Sequence, residues 1–503
     1  MSPTVELVLG IGTLPRILLF VSSLAILKVI VKVIYNVFLH PLREFPGPLS
    51  HKISRLPYFY KHINGTLPFD MLDLHEKYGD IVRVAPDELA FSHPNAWTDI
   101  MGHQKSGKEC SKAEWFYQPV ESLPRHIVNE PREEHRRLRR QLAHGFSEKG
   151  MREQEPIIKR YVDLLVCKLY EHCQSNTDPI ILSDWYNYCT FDIIGDLAFG
   201  ESFGCLEGSN YHAWIASIFQ SGRLGTLLQA LSFVPRLKTV LMSLAPKSTR
   251  DAQQRHKELT TAKMLKRIEM GNERHDLIQG LLEKKDELHL EMDKLIANAE
   301  ILIIGGSETT ATLLSGVTYY ILRNPHVFRK LAEEVRTSFD SEDAINLVSV
   351  GKLTYMLAVL NEGLRMYPPI ANGLPRQIPQ GGAQVLERAI PANTYVAIHQ
   401  WALYRRESYF HKANEFHPER FLHDPEFAKD RDDALQPFHV GPRNCLGRNL
   451  AYSEMRLILT RVIYNFDMRL DESSMDWVKQ RNYLMWRKGP LKVHLTPIHV
   501  DRD

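Results

Sequence analysis

The decisive stretch is Phe438-His439-Val440-Gly441-Pro442-Arg443-Asn444-Cys445-Leu446-Gly447. Gly441 and Pro442 make it a loop, and it presents one cysteine just before a helical pattern running from Leu446 to about Tyr464. A thiol at a helix start sees unpaired amide donors and the positive end of the dipole, so its thiolate is favoured. Gly441 and Gly447 allow the backbone to approach a large flat ligand closely. Two other readings compete: a buried structural cysteine, and a nucleophile with His439 as its base. The second has nothing to orient the histidine and no oxyanion-hole sequence.

Working outward from that loop, four stretches carry unexpected polar residues. Gly305-Gly306-Ser307-Glu308-Thr309-Thr310 interrupts a long apolar helical pattern over residues 289–322. Two adjacent helical glycines cost roughly 2 kcal/mol relative to alanine. They read either as close helix packing beside a solvated Glu308, or as room for a ligand. Glu362-Gly363-Leu364-Arg365 places an acid and a base one turn apart on a helix, a spacing also common on exposed faces. His417-Pro418-Glu419-Arg420-Phe421 follows downstream, and His135-Arg136-Arg137-Leu138-Arg139 forms a basic helical run upstream. Arg376 follows Gly373-Leu374-Pro375.

Together these residues resemble the cytochrome P-450 superfamily, whose haem-binding signature is F-x-x-G-x-R-x-C-x-G. Phe438, Gly441, Arg443, Cys445 and Gly447 occupy its fixed positions. The resemblance implies that Cys445 is the axial thiolate ligand of a haem b iron, donating electron density that favours O–O cleavage. It implies that Phe438 stacks near the sulfur and that Arg443 pairs with a propionate. The family's A/G-G-x-D/E-T-T/S pattern falls on Gly305 to Thr310, where the helix is expected to open. Gly305 and Gly306 would leave room for oxygen and substrate, Thr309 would hydrogen-bond the oxygen being activated, and Glu308 would relay protons. E-x-x-R falls on Glu362 and Arg365, with Arg420 completing a buried three-charge network that is costly unless fully paired. The common W-x-x-x-R becomes His135 to Arg139: Arg139 is expected on a propionate, His135 is a weaker donor there, and Arg376 is a further propionate partner.

The N-terminus reads as a membrane anchor. Ile17 to Leu39 is apolar apart from Lys28 and Lys32, and as a helix spans about 34 Å at ~1.5 Å per residue. A cleaved signal peptide and a buried globular helix are the rivals, the former lacking a small-x-small cleavage site. Lys and Arg are denser after the segment than before it, placing the body in the cytosol. The expected organisation is a lumenal stretch 1–16, an anchor 17–39, a Pro-rich hinge 40–50 and one haem domain 51–503. The fold class is mainly α with small β-sheets, the cytochrome P-450 fold behind a single transmembrane helix.

Composition removes other classes. Over 503 residues, 62 Lys+Arg against 60 Asp+Glu give a net charge of +2, which excludes a strongly basic nucleic-acid binder. Six cysteines without a C-x-x-C exclude a zinc ribbon and suit a reducing compartment. No glycine-rich flavin or dinucleotide motif follows Cys445, so electrons are expected from a separate NADPH–cytochrome P-450 reductase, with cytochrome b5 as a second donor. The wording of HPLREFPGP, HRRLRR and LPRQIPQGG resembles filamentous-fungal enzymes of secondary metabolism. The expected function is therefore a monomeric endoplasmic-reticulum monooxygenase acting on a lipophilic small molecule such as a polyketide or terpenoid. The alternatives are a haem-thiolate isomerase or dehydratase needing no reductase, which tends to lose the distal acid–alcohol pair, and a non-catalytic haem-binding protein.

Overall fold

The computed structural model describes residues 3–104, 108–175, 178–244, 246–271 and 274–498. Long helices dominate, as their 3.6-residue apolar spacing dictates. Glu148–Ser175, Leu182–Phe199, Met292–Arg323, Pro325–Ser338, Thr354–Met366 and Arg448–Asn465 bury their apolar faces in one large core. Met292–Arg323, hereafter the distal helix, lies at its centre, buried almost continuously from Ser307 to Tyr319. Against it packs Leu182–Phe199, where Tyr186 and Thr318 share a hydrogen bond of 3.0 Å. Buried Asp192 on the latter helix accepts from the backbone N–H groups of Phe203, Cys205 and Leu206, at 3.0, 3.1 and 2.9 Å, and so fixes the following loop.

The largest sheet has five strands in the order Ile81–Ala85, Glu88–Phe91, Tyr395–Ile398, Arg376–Gln377 and Ser111–Lys112. Glu88–Phe91 runs parallel to Tyr395–Ile398, and the other neighbours are antiparallel. At its far edge the register sets Lys112 opposite Arg376, two cations 264 residues apart in the chain. A three-stranded sheet of Ile180–Ile181, Lys492–Pro497 and Phe466–Leu470 lies beside the core.

The N-terminal helix spans Pro3–Ile34 and tightens into a π-turn at Tyr35–Leu39. Within it Pro15–Leu39 has a mean hydropathy of 2.5 over its most apolar window, none of which is buried, so the segment fits a membrane anchor. The anchor's end is tied to the body. Buried Asn36 donates to Ile53 O at 3.0 Å, and its own carbonyl accepts from Arg83 Nη1 at 2.9 Å. All six cysteines are free thiols.

Candidate active site

The Cys445 loop is shaped by two backbone constraints. Gly441 sits at φ +78°, and a Cβ there would lie 1.9 Å from Met101 O, so only glycine fits. Cys445 N–H donates to Phe438 O at 2.8 Å, closing the loop on itself. Phe438 packs on Tyr452 at 5.3 Å between ring centres, and the helix of Arg448–Asn465 starts immediately after Gly447. A Cβ on Gly447 would meet only Phe146, at an ordinary 3.7 Å.

Cys445 keeps exposed surface. Burial pushes the thiol up, against the pull of the Gly447 N–H, Arg139 and Arg448. Desolvation here opposes the amide donors that the helix start supplies. His439, the alternative catalytic base, packs edge-on against Trp97 at 4.9 Å, and burial with Arg376 and Lys112 lowers its imidazole to about 3.

Beside the loop lies a cluster of cations. Arg139 donates to Asn444 O at 2.7 Å and to Asn444 Oδ1 at 2.5 Å. Arg443 donates to Glu109 at 3.3 Å and to Glu130 O at 2.8 Å. Arg376 is 5% exposed, and its Nε has no hydrogen-bond partner among the described residues. Lys112 donates to Val128 O, and its ammonium stands 4.6 Å from the Tyr117 ring. Burial, followed by the charges of Arg376, Arg443 and Arg139, holds Lys112 well below its ordinary range. His135 is buried and neutral: desolvation, then Arg443, Lys112, Arg139 and Arg376, lower it to about 3. The Tyr117 hydroxyl is buried without a partner among the described residues. Among the described residues, Glu109, bonded to Arg443 and near Lys112, is the carboxylate that answers these four cations, and the arrangement calls for an anionic ligand. Lys112, Tyr117 and Glu109 escaped the sequence reading, because no spacing foretells that the sheet edge brings Lys112 to Arg376.

On the distal helix the predicted residues separate. The helix does not open at the glycines but runs unbroken from Met292 to Arg323. Gly305 faces open space, with nothing within 4 Å of an added Cβ. Gly306 does not provide room: its Cβ would lie 2.7 Å from Ile194 Cδ1, so it is the close-packing glycine of the helix pair. Thr309 donates to Gly305 O at 2.6 Å. Glu308 is not solvated. It is buried, 2.9 Å from Lys488. Glu454, on the helix after Cys445, is fully buried near Thr310, and burial pushes its carboxyl well above its ordinary range.

The predicted charge network is present and larger than expected. Arg365 donates to Glu362 through Nε and Nη2 at 2.8 and 2.7 Å, and Arg420 Nε reaches Glu362 Oε2 at 3.0 Å. Asp430 joins through Arg420 Nη1 and gives the network equal numbers of cations and anions. The spare donors go to backbone carbonyls, those of Arg365 to Tyr404 (2.9 Å), Ala413 (2.6 Å) and Glu415 (2.9 Å) and one of Arg420 to His411 (3.0 Å).

Comparison with known proteins agrees with this geometry. Residues 49–495 match the family model described as Cytochrome P-450. The chain is 49% identical over 479 residues to the cytochrome P-450 monooxygenase prhB of Penicillium brasilianum, covering 95% of this chain and 98% of that one. It is 44% identical to the trichothecene C-15 hydroxylase of Fusarium sporotrichioides, with 93% and 96% covered. It is also 44% identical to the averantin hydroxylase of Dothistroma septosporum, with 94% and 90% covered. A cysteine loop beside a cation-rich pocket, a central distal helix and similarity along nearly the whole chain lead to one assignment: the protein belongs to the cytochrome P-450 family, as a haem-thiolate, oxygen-incorporating oxidoreductase.

Proposed function

We propose that the chain binds haem b through the Cys445 thiolate and hydroxylates, or otherwise oxygenates, a lipophilic secondary metabolite of polyketide or terpenoid type. The observation that carries this reading is the uncompensated cluster of Lys112, Arg139, Arg376 and Arg443 beside the Cys445 loop. Its positive excess and the unpaired Arg376 Nε fit the carboxylates of a bound haem. Ferric iron on Cys445 would offset the desolvation that otherwise keeps the thiol protonated. Bound haem supplies the oxygen-activating chemistry, and the chain's residues bind, orient and deliver protons. Gly305 leaves space for substrate and oxygen, and Thr309 presents a hydroxyl from the same turn.

Electrons come from a separate NADPH–cytochrome P-450 reductase. A groove of about 490 Å³ lined by Arg132, Arg136, Arg140 and Arg443 gives an acidic partner a basic surface, extended by exposed Arg448. We place the protein in the endoplasmic reticulum membrane with its body in the cytosol, from the Lys and Arg excess after the apolar helix. The helix Pro235–Ser243 buries none of its residues and exposes Leu237, Val240 and Leu241, a surface suited to lipid. Soluble fractionation of the full-length chain, or a glycan on Asn64, would refute that placement.

The functional test pairs two variants. Cys445→His is expected to abolish the red-shifted band of the reduced carbon monoxide complex, and retention of both band and turnover sinks the ligation. Thr309→Ala is expected to retain haem and substrate binding but divert NADPH electrons to hydrogen peroxide. Loss of acid–base help is worth about 10²–10⁴-fold in the assisted step. An unchanged ratio of product to NADPH would make Thr309 a packing residue.

A further inference from the structure

Glu308 Oε1 and Lys488 Nζ lie 2.9 Å apart, with 2% and 6% of their side chains exposed. The ammonium also donates to Thr312 Oγ1 at 3.0 Å and to Asn187 Oδ1 at 3.2 Å. Those contacts occupy its three donors. Asn187 donates to the Tyr211 hydroxyl at 2.9 Å, and Tyr211 donates to Asp184 at 2.7 Å. Thr312 donates to Glu308 Oε1 at 3.3 Å, while Oε2 is buried with no partner among the described residues. A carboxylate this deep is therefore held by one cation, and that cation is itself held from behind by the helix Leu182–Phe199.

We infer that Lys488 is a positioning residue for proton delivery, holding the Glu308 carboxylate on the Thr312 side of the distal helix. The inference rests on the role proposed above for Thr309 and on the proton relay that the family resemblance implies for Glu308. Asn187 cannot pass a proton through its amide, so Asp184, Tyr211 and Asn187 orient Lys488 rather than conduct. The titratable groups facing Glu308 are Lys488, from the loop before Lys492–Pro497, Tyr211, from the loop before the helix Ala213–Leu231, and Tyr367, at the end of Thr354–Met366. Lys488 is the cation among them. Burial raises the Glu308 carboxyl and Lys488 pulls it back, so removing Lys488 leaves a stranded carboxylate that takes up a proton.

The test is an infrared pH titration of the full-length, haem-loaded protein, following the carboxyl band that Glu308→Gln removes. Lys488→Met is expected to move the midpoint of that band upward by about one to three pH units, while Lys488→Arg keeps it near the wild type. Should Lys488→Met not fold, Asn187→Leu loosens the ammonium without removing its charge and is expected to shift the midpoint upward by less. An unchanged midpoint in the folded variant overturns the inference, as does a shift that persists in Glu308→Gln/Lys488→Met. Carbon monoxide spectra and product formation by the wild-type protein in the same preparations test the functional reading separately.

Discussion

Two clusters of charge differ in one respect. In the network of Glu362, Arg365, Arg420 and Asp430, cations and anions are equal in number and the spare donors reach backbone carbonyls. Among Lys112, Arg139, Arg376 and Arg443 there is one nearby carboxylate, and Arg376 Nε and the Tyr117 hydroxyl are buried without partners among the described residues. Desolvating a charge costs several kcal/mol unless it is paired, so a balanced network is self-sufficient and an unbalanced one is completed by a ligand. The first cluster is finished by folding, and the carboxylates of the haem proposed above would complete the second.

The largest effect is expected where the finished network is broken. Glu362→Gln strands Arg365 and Arg420 without their shared carboxylate and costs about 3–5 kcal/mol. The urea midpoint, followed by tryptophan fluorescence, is expected to collapse or the soluble yield to vanish, and a near-wild-type midpoint would dissolve the contrast. Next comes the Cys445 loop. Gly441→Ala forces a Cβ to within 1.9 Å of Met101 O and is expected to abolish the carbon monoxide band, whereas Gly447→Ala, with 3.7 Å to its nearest neighbour, is expected to keep it.

The ligand-dependent cluster predicts the opposite pattern from Glu362→Gln. Arg376→Met removes one unpaired cation, so the haem-free protein is expected to hold or raise its urea midpoint. Its haem dissociation constant is expected to rise about ten- to a hundredfold, from a lost charge-assisted hydrogen bond. Haem transfer to a scavenging globin measures the second quantity. A midpoint that falls as in Glu362→Gln would show this cluster to be structural as well.

The smallest effect is on pH dependence. His135 is lowered from 6.5 to about 3 in the folded state, chiefly by burial and then by Arg443. Between those values the unfolded chain binds the proton and the folded chain refuses it, so stability is full above about pH 6.5 and is lost progressively as pH falls toward 3. His135→Asn is expected to flatten this acid limb in urea titrations of the haem-free protein. Bound haem, by supplying negative charge, is expected to flatten it in the wild type also. An identical limb in all three samples removes His135 as its source.

By itself the sequence determined the helical architecture, the loop that presents Cys445 and the pairing at the heart of the buried acid–base network, because each is written in local pattern. A 3.6-residue period fixes the helices, a Gly/Pro frame exposes Cys445, and a one-turn spacing pairs Glu362 with Arg365. Tertiary structure alone decided the partners contributed from afar. The sheet edge sets Lys112 against Arg376, Asp430 joins the network through Arg420, and the loop of Lys488 meets Glu308 across 180 residues of chain. Gly305 and Gly306 show the same division within one dipeptide, since only the neighbouring helix decides that one faces open space and the other Ile194. Local pattern records which residues can fold into an element. Which charges end up facing one another depends on how elements far apart in the chain pack, because Coulombic and hydrogen-bond energies act across space and not along the sequence.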